Sequence, residues 1–88
     1  MGDDSLLVRM MRSKSGWGPK DLERLYLSYG FDKREGAKHT VYTHQADLVN
    51  LRATVARHSN LPKGYAQTAI RLIRLLAEIE GRDDESNG

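Results

Sequence analysis

The chain has 88 residues, a formal net charge of +2 and no cysteine. One domain of this length buries only about 60% of the surface its unfolded chain exposes, which excludes a deep multi-substrate cavity in a monomer. The missing cysteines exclude disulfide frameworks, thiolate catalysis and zinc knuckles.

No apolar run approaches the roughly 20 residues of a membrane span. Asp3 and Asp4 stand where a secretory signal would be basic. A cytoplasmic protein without a membrane partner is therefore expected. The acidic residues gather at the two ends, Asp3 and Asp4 at the front and Glu78, Glu80, Asp83, Asp84 and Glu85 at the back, so the segment from Arg9 to Arg74 is clearly basic. That distribution fits a polyanionic partner. It fits equally a solvated cationic surface with acidic ends.

In chain order, Ser5 to Arg12 reads as a short helix with Leu6, Leu7, Met10 and Met11 on one side and Ser5 as its cap. Ser13 to Gly18 reads as a loop whose Trp17 packs on the core. Pro19 to Tyr29 is the clearest helix. Pro19 suits its first position, Asp21 and Glu23 suit its first turn, and Leu22, Leu25, Tyr26 and Tyr29 form one stripe. Gly30 then supplies the left-handed terminator. Three strands follow, at Phe31–Glu35, Lys38–His44 and Leu51–Arg57, the first two joined at Gly36-Ala37 and the last two by Gln45–Asn50. Leu48 and Val49 are candidates to lengthen the third strand. A final helix starts near Ser59 or Asn60, with Pro62 in its first turn, and runs to about Glu80. Its apolar residues, Ala69, Ile70, Ile73, Leu76 and Ala77, broadened by Leu72, Leu75 and Ile79, exceed one face. That width calls for a second packing partner: the N-terminal helix, a second copy, or another protein. Residues 81–88 read as a disordered acidic tail.

The order α-α-β-β-β-α predicts an α+β two-layer sandwich. Its three-stranded antiparallel sheet would carry the helices on one face and leave the other open. The expected divisions are an N-terminal extension over 1–18, a domain over 19–80 and the tail over 81–88.

Gly30-Phe31, Arg34, a small-residue turn, His39, Tyr42 and His44, followed by Val55-Ala56-Arg57-His58 and Lys63-Gly64, together resemble the HicA family, the toxin half of a bacterial toxin–antitoxin pair. Members typically read Gly-Phe, then Gly-Ser-His-His, an apolar and an aromatic residue, and later Val-Pro-x-His and a glycine opening the last helix. The likeness spans roughly Pro19 to Leu76. Here Ala37-Lys38 replace Gly-Ser, Thr40 replaces the second histidine, and Ala56 replaces the proline. The resemblance implies a double-stranded-RNA-binding-domain-like fold. It also implies an mRNA interferase that depends on one histidine, His39, and a cognate HicB-like antitoxin.

RNA carries its own nucleophile, the 2′-hydroxyl, so cleavage needs alignment and proton transfer but no metal or other cofactor. Histidine suits that transfer as a residue type, since its unperturbed pKa lies near 6.5. Lys38 and Arg34 are the nearest cations in sequence to stabilise a phosphorane. Strand parity complicates this: His39, Val41 and Thr43 share a face, so if Val41 points to the helices His39 does too, and it becomes a hydrogen-bonded histidine at the core margin. His58 sits near either RNA or the entrance to the last helix. Gly64 lets backbone N–H groups approach a phosphate, with Lys63 adding charge, or simply makes a tight junction. His44 reads as a solvated strand end. The spacing of the three histidines matches no compact zinc motif. Two other functions compete with the nuclease: a non-catalytic RNA-binding module, and a protein-interaction module that uses the broad last helix, self-association included.

Overall fold

The computed structural model describes the backbone of residues 2–87 and the side chains of residues 2–81; the side chains of the acidic tail and all of Gly88 lie outside the described residues. The elements are α1 (Asp4–Arg12), α2 (Pro19–Ser28), β1 (Asp32–Glu35), β2 (His39–Ala46), β3 (Val49–Ala56) and α3 (Lys63–Asn87). The order is the expected one. The strands form one antiparallel sheet, β1-β2-β3, with hairpin connections throughout.

Several boundaries differ from the expected ones for local reasons. Asp3, not Ser5, caps α1, and its carboxylate accepts from the Leu6 N–H at 3.1 Å. That places Asp4 in the first turn, where the helix dipole favours an anion. The link between β2 and β3 shrinks to Asp47-Leu48, because Asp47 adopts φ 55° and lets Ala46 pair with Val49. Phe31 leaves β1 and turns into the core. Pro62 stands just before α3 and accepts from the Tyr65 N–H at 3.1 Å. The backbone of α3 stays helical through Gly81 to Asn87, past the expected end near Glu80. No proline interrupts it there, and each added residue needs only one further hydrogen bond. Gly30 ends α2 at φ 89°, as its type suggests.

The core is built on one face of the sheet. Tyr42 stacks on Tyr26 at 4.6 Å, and Phe31 meets Tyr26 edge-on at 5.0 Å. Each such pair contributes about 0.5–1.5 kcal/mol beyond its area burial. Leu51, Ala53 and Val55 of β3 and Leu22, Leu25, Ile73 and Leu76 of the helices complete the layer. The second apolar side of α3 has a partner within the chain: α1 packs on α3, and Leu6, Met10, Leu72 and Ile79 are all buried. The N-terminal segment is thus part of the core. Asp3 pairs with Arg24 at 3.0 Å, the Tyr29 hydroxyl donates to the Asp4 carboxylate, and Trp17 packs at the core margin.

Candidate functional site

Strand parity is decided by Tyr42. Its ring belongs to the aromatic stack under α2, so Thr40 and Tyr42 face the helices, and His39, Val41 and Thr43 face the open side. The expectation that Val41 might carry His39 inward is therefore corrected. Val41 is only half-buried on the open face, because the larger aromatic captures the core side. His39, the first residue of β2, is exposed, and its ring makes no hydrogen bond to a described residue.

The backbone around His39 is held firmly. The Gly36 N–H donates to the His39 carbonyl at 2.8 Å and closes the β1–β2 turn. A Cβ on Gly36 would lie 3.0 Å from that carbonyl oxygen, so the close approach favours glycine. From the other strand the Arg57 guanidinium donates to the Gly36 carbonyl at 2.6 Å, and the Arg57 N–H donates to the Lys38 carbonyl at 3.1 Å. Arg57, which the sequence offers only as a filler in the Val-x-x-His stretch, is thus the brace of the histidine's turn.

The register places cations around the imidazole. Arg34 lies opposite Val41, which makes it a diagonal neighbour of His39 on the open face. Diagonal neighbours stand about 7–8 Å apart, within reach of a long side chain. Lys38 is exposed in the turn itself. Arg52 lies opposite Thr43 and Thr54 opposite Val41, both exposed on the same face. Among the described residues Arg34, Lys38 and Arg52 make no ion pair, whereas Lys33, on the covered face, is engaged by Glu23 at 2.7 Å and Glu35 at 3.3 Å. Those two carboxylates raise the Lys33 pKa through their hydrogen bonds. Sequence reading missed Arg52 and Thr54; the alternation of β3, once anchored on buried Leu51, Ala53 and Val55, is the signal that finds them.

The remaining candidates are scattered. His44 faces the helices, meets the Phe31 ring edge-on at 5.2 Å, and leaves its buried Nδ1 without a hydrogen-bond partner among the described residues. It is therefore a packing residue and not a solvated strand end. His58 lies in the loop after β3, its Nδ1 3.0 Å from the Ser59 carbonyl. Lys63 and Gly64 open α3, and a Cβ on Gly64 would meet nothing within 4 Å, so no tight junction demands that glycine.

A groove of about 610 Å³ lies on the covered side between the start of α2 and the sheet. Lys20, Glu23, Lys33, Glu35, Thr40 and Arg57 are among its lining residues, and His39 is not. Burial, with added repulsion from Glu23 and only partial relief from Lys33, pushes the phenol of Tyr42 on its floor up to about 12. What surrounds His39 is an open, cationic strand surface, suited to a long flexible polyanion more than to an enclosed small molecule. No protein-family model, curated protein or solved structure matches the chain.

Proposed function

We propose that the chain is a HicA-like RNA endonuclease, an mRNA interferase with a double-stranded-RNA-binding-domain-like fold, whose general acid–base is His39. The observation that carries this reading is the exposed imidazole at the start of β2, with Arg34 diagonal to it and Lys38 just before it, neither cation in an ion pair among the described residues. An RNA strand crossing the open face brings a phosphodiester against these cations. The 2′-oxygen attacks phosphorus, the bond to the 5′-oxygen breaks, and a 2′,3′-cyclic phosphate and a 5′-hydroxyl result. The imidazole takes the proton of the 2′-hydroxyl while water protonates the departing 5′-oxygen, or gives its proton to that oxygen while water accepts the one from the 2′-hydroxyl. Arg34 and Lys38 stabilise the charge that builds on the non-bridging oxygens. His58 and Lys63, with the Gly64 backbone, supply further phosphate contacts. A cognate HicB-like antitoxin would neutralise the enzyme by covering this face.

The test is cleavage of a labelled single-stranded RNA by the wild-type chain and by His39→Ala. Loss of cleavage by about 10²–10⁴-fold, with cleavage by the wild type persisting in EDTA, supports the proposal. Full activity in His39→Ala removes it. One observation favours a second reading, a non-catalytic RNA-binding module: among the described residues the His39 ring has no hydrogen-bond partner to orient it. Salt-sensitive binding without product on a denaturing gel selects that reading.

A further inference from the structure

At the outer edge of β3, where it meets the first turns of α3, a pocket of about 330 Å³ is lined by Tyr26, Thr54, Pro62, Gly64, Tyr65 and Thr68, together with Val55. Its lining is entirely uncharged, unlike that of the groove beside α2. The volume is at the lower end of the range for small-molecule sites.

Tyr26 is the informative residue. It is 0% exposed, yet its hydroxyl has no hydrogen-bond partner among the described residues. A buried donor left unsatisfied costs free energy. Phenylalanine would make the same ring contacts with Tyr42 and Phe31 without that cost. Burial also raises the Tyr26 pKa well above the ordinary phenol range, so the group stays protonated and able to donate. The rest of the lining suits a flat heteroaromatic ligand. Tyr65 offers a half-buried aromatic ring, Thr54 and Thr68 offer hydroxyls, and Gly64 leaves the approach open. A phosphate would instead need cations, which this lining lacks. The pocket also adjoins the candidate site: Thr54 is two residues along β3 from Ala56, the partner of His39, a step of about 7 Å.

We propose that this pocket takes an unpaired nucleobase of the RNA strand that crosses His39, seated against Tyr65, with the Tyr26 hydroxyl donating to a ring nitrogen or carbonyl oxygen of the base. The proposal rests on the reading of the open face as an RNA surface, and it adds base selection to a site otherwise built for the backbone. Proteins that read single-stranded RNA commonly splay bases onto aromatic side chains and hydrogen-bond their edges.

The experiment uses the full chain carrying His39→Ala and records amide NMR shifts on titration with each of the four ribonucleoside 5′-monophosphates and with ribose 5-phosphate. At least one nucleotide should give saturable shifts at Thr54, Tyr65 and Thr68, and ribose 5-phosphate should give none there. Adding Tyr26→Phe should weaken that binding roughly tenfold, the loss of about one good hydrogen bond, while the melting temperature holds or rises. Tyr65→Ala, a change at a half-buried ring, should also weaken it. The proposal is overturned if no nucleotide binds, as when the pocket serves a protein segment instead. Ribose 5-phosphate acting as well as the nucleotides overturns it too, as does Tyr26→Phe leaving affinity unchanged or lowering the melting temperature. Base binding by a chain whose wild type leaves RNA uncut keeps the pocket and removes the nuclease. Cleavage without base binding removes the pocket alone.

Discussion

The two faces of one sheet divide the labour of this protein. Tyr42, Ala53 and Val55, on the covered face, are sealed by helices and by the Tyr26 ring. Arg52 and Thr54, the immediate neighbours of Ala53 along β3, are exposed, as are Arg34 of β1 and His39 of β2 on the same face. The covered face engages its cation internally, Lys33 being held by Glu23 and Glu35, whereas on the open face Arg34 and Arg52 make no ion pair among the described residues. A residue's contribution to folding and its availability to a ligand are therefore separated by a single step along the chain, and substitutions on the two faces should have opposite signatures.

The largest effect expected is that of His39→Ala, which should remove the proposed RNA cleavage and leave the thermal midpoint unchanged, since an exposed ring with no hydrogen bond to a described residue has no packing to lose. A large fall in the midpoint would show that the open face is also structural. Next comes Tyr42→Ala, expected to cost about 3–5 kcal/mol in urea denaturation, as for other large buried aromatics. It breaks the stack with Tyr26, and a small cost would mean that the core lies elsewhere.

A pH effect belongs to the covered face as well. Burial holds the Tyr42 phenol up to about 12 from its ordinary 10.0. A raised pKa contributes stability that is complete below the unfolded value and declines as pH rises through the folded one. The urea midpoint should therefore fall between pH 10 and pH 12 and hold steady below that window; a flat profile across it would contradict the burial of Tyr42. The smallest effect is that of Arg52→Gln. It should weaken RNA binding evenly across sequences and reduce the salt slope by about 0.7, one phosphate contact on a single strand. An unchanged slope would confine the interface to the end of the sheet that bears His39.

Much of the architecture is legible in the residues themselves. The stripe of Leu22, Leu25 and Tyr26 marks α2, Gly30 marks its end, and the β-branched and aromatic residues near Tyr42 mark β2. His39 is legible as a candidate because an imidazole beside a cation at a strand start is hard to explain by packing. What is not legible is which face it takes. Local alternation admits both parities equally, and only the competition between Tyr42 and Val41 for the space under α2 decides between them. Arg57 as a brace is invisible for a similar reason, since it acts on Gly36, a residue distant in sequence.

By itself the sequence determined the order of elements, the basic middle of the chain, and the bounds of α2, because capping, glycine conformation and hydrophobic period act over a few neighbouring residues. Only the tertiary structure decided that α1 completes the core against α3, that the imidazole looks outward, and that Arg34 and Arg52 share its face. Those outcomes depend on strand register and on which side chains win the limited buried volume, and both are settled between segments rather than within them.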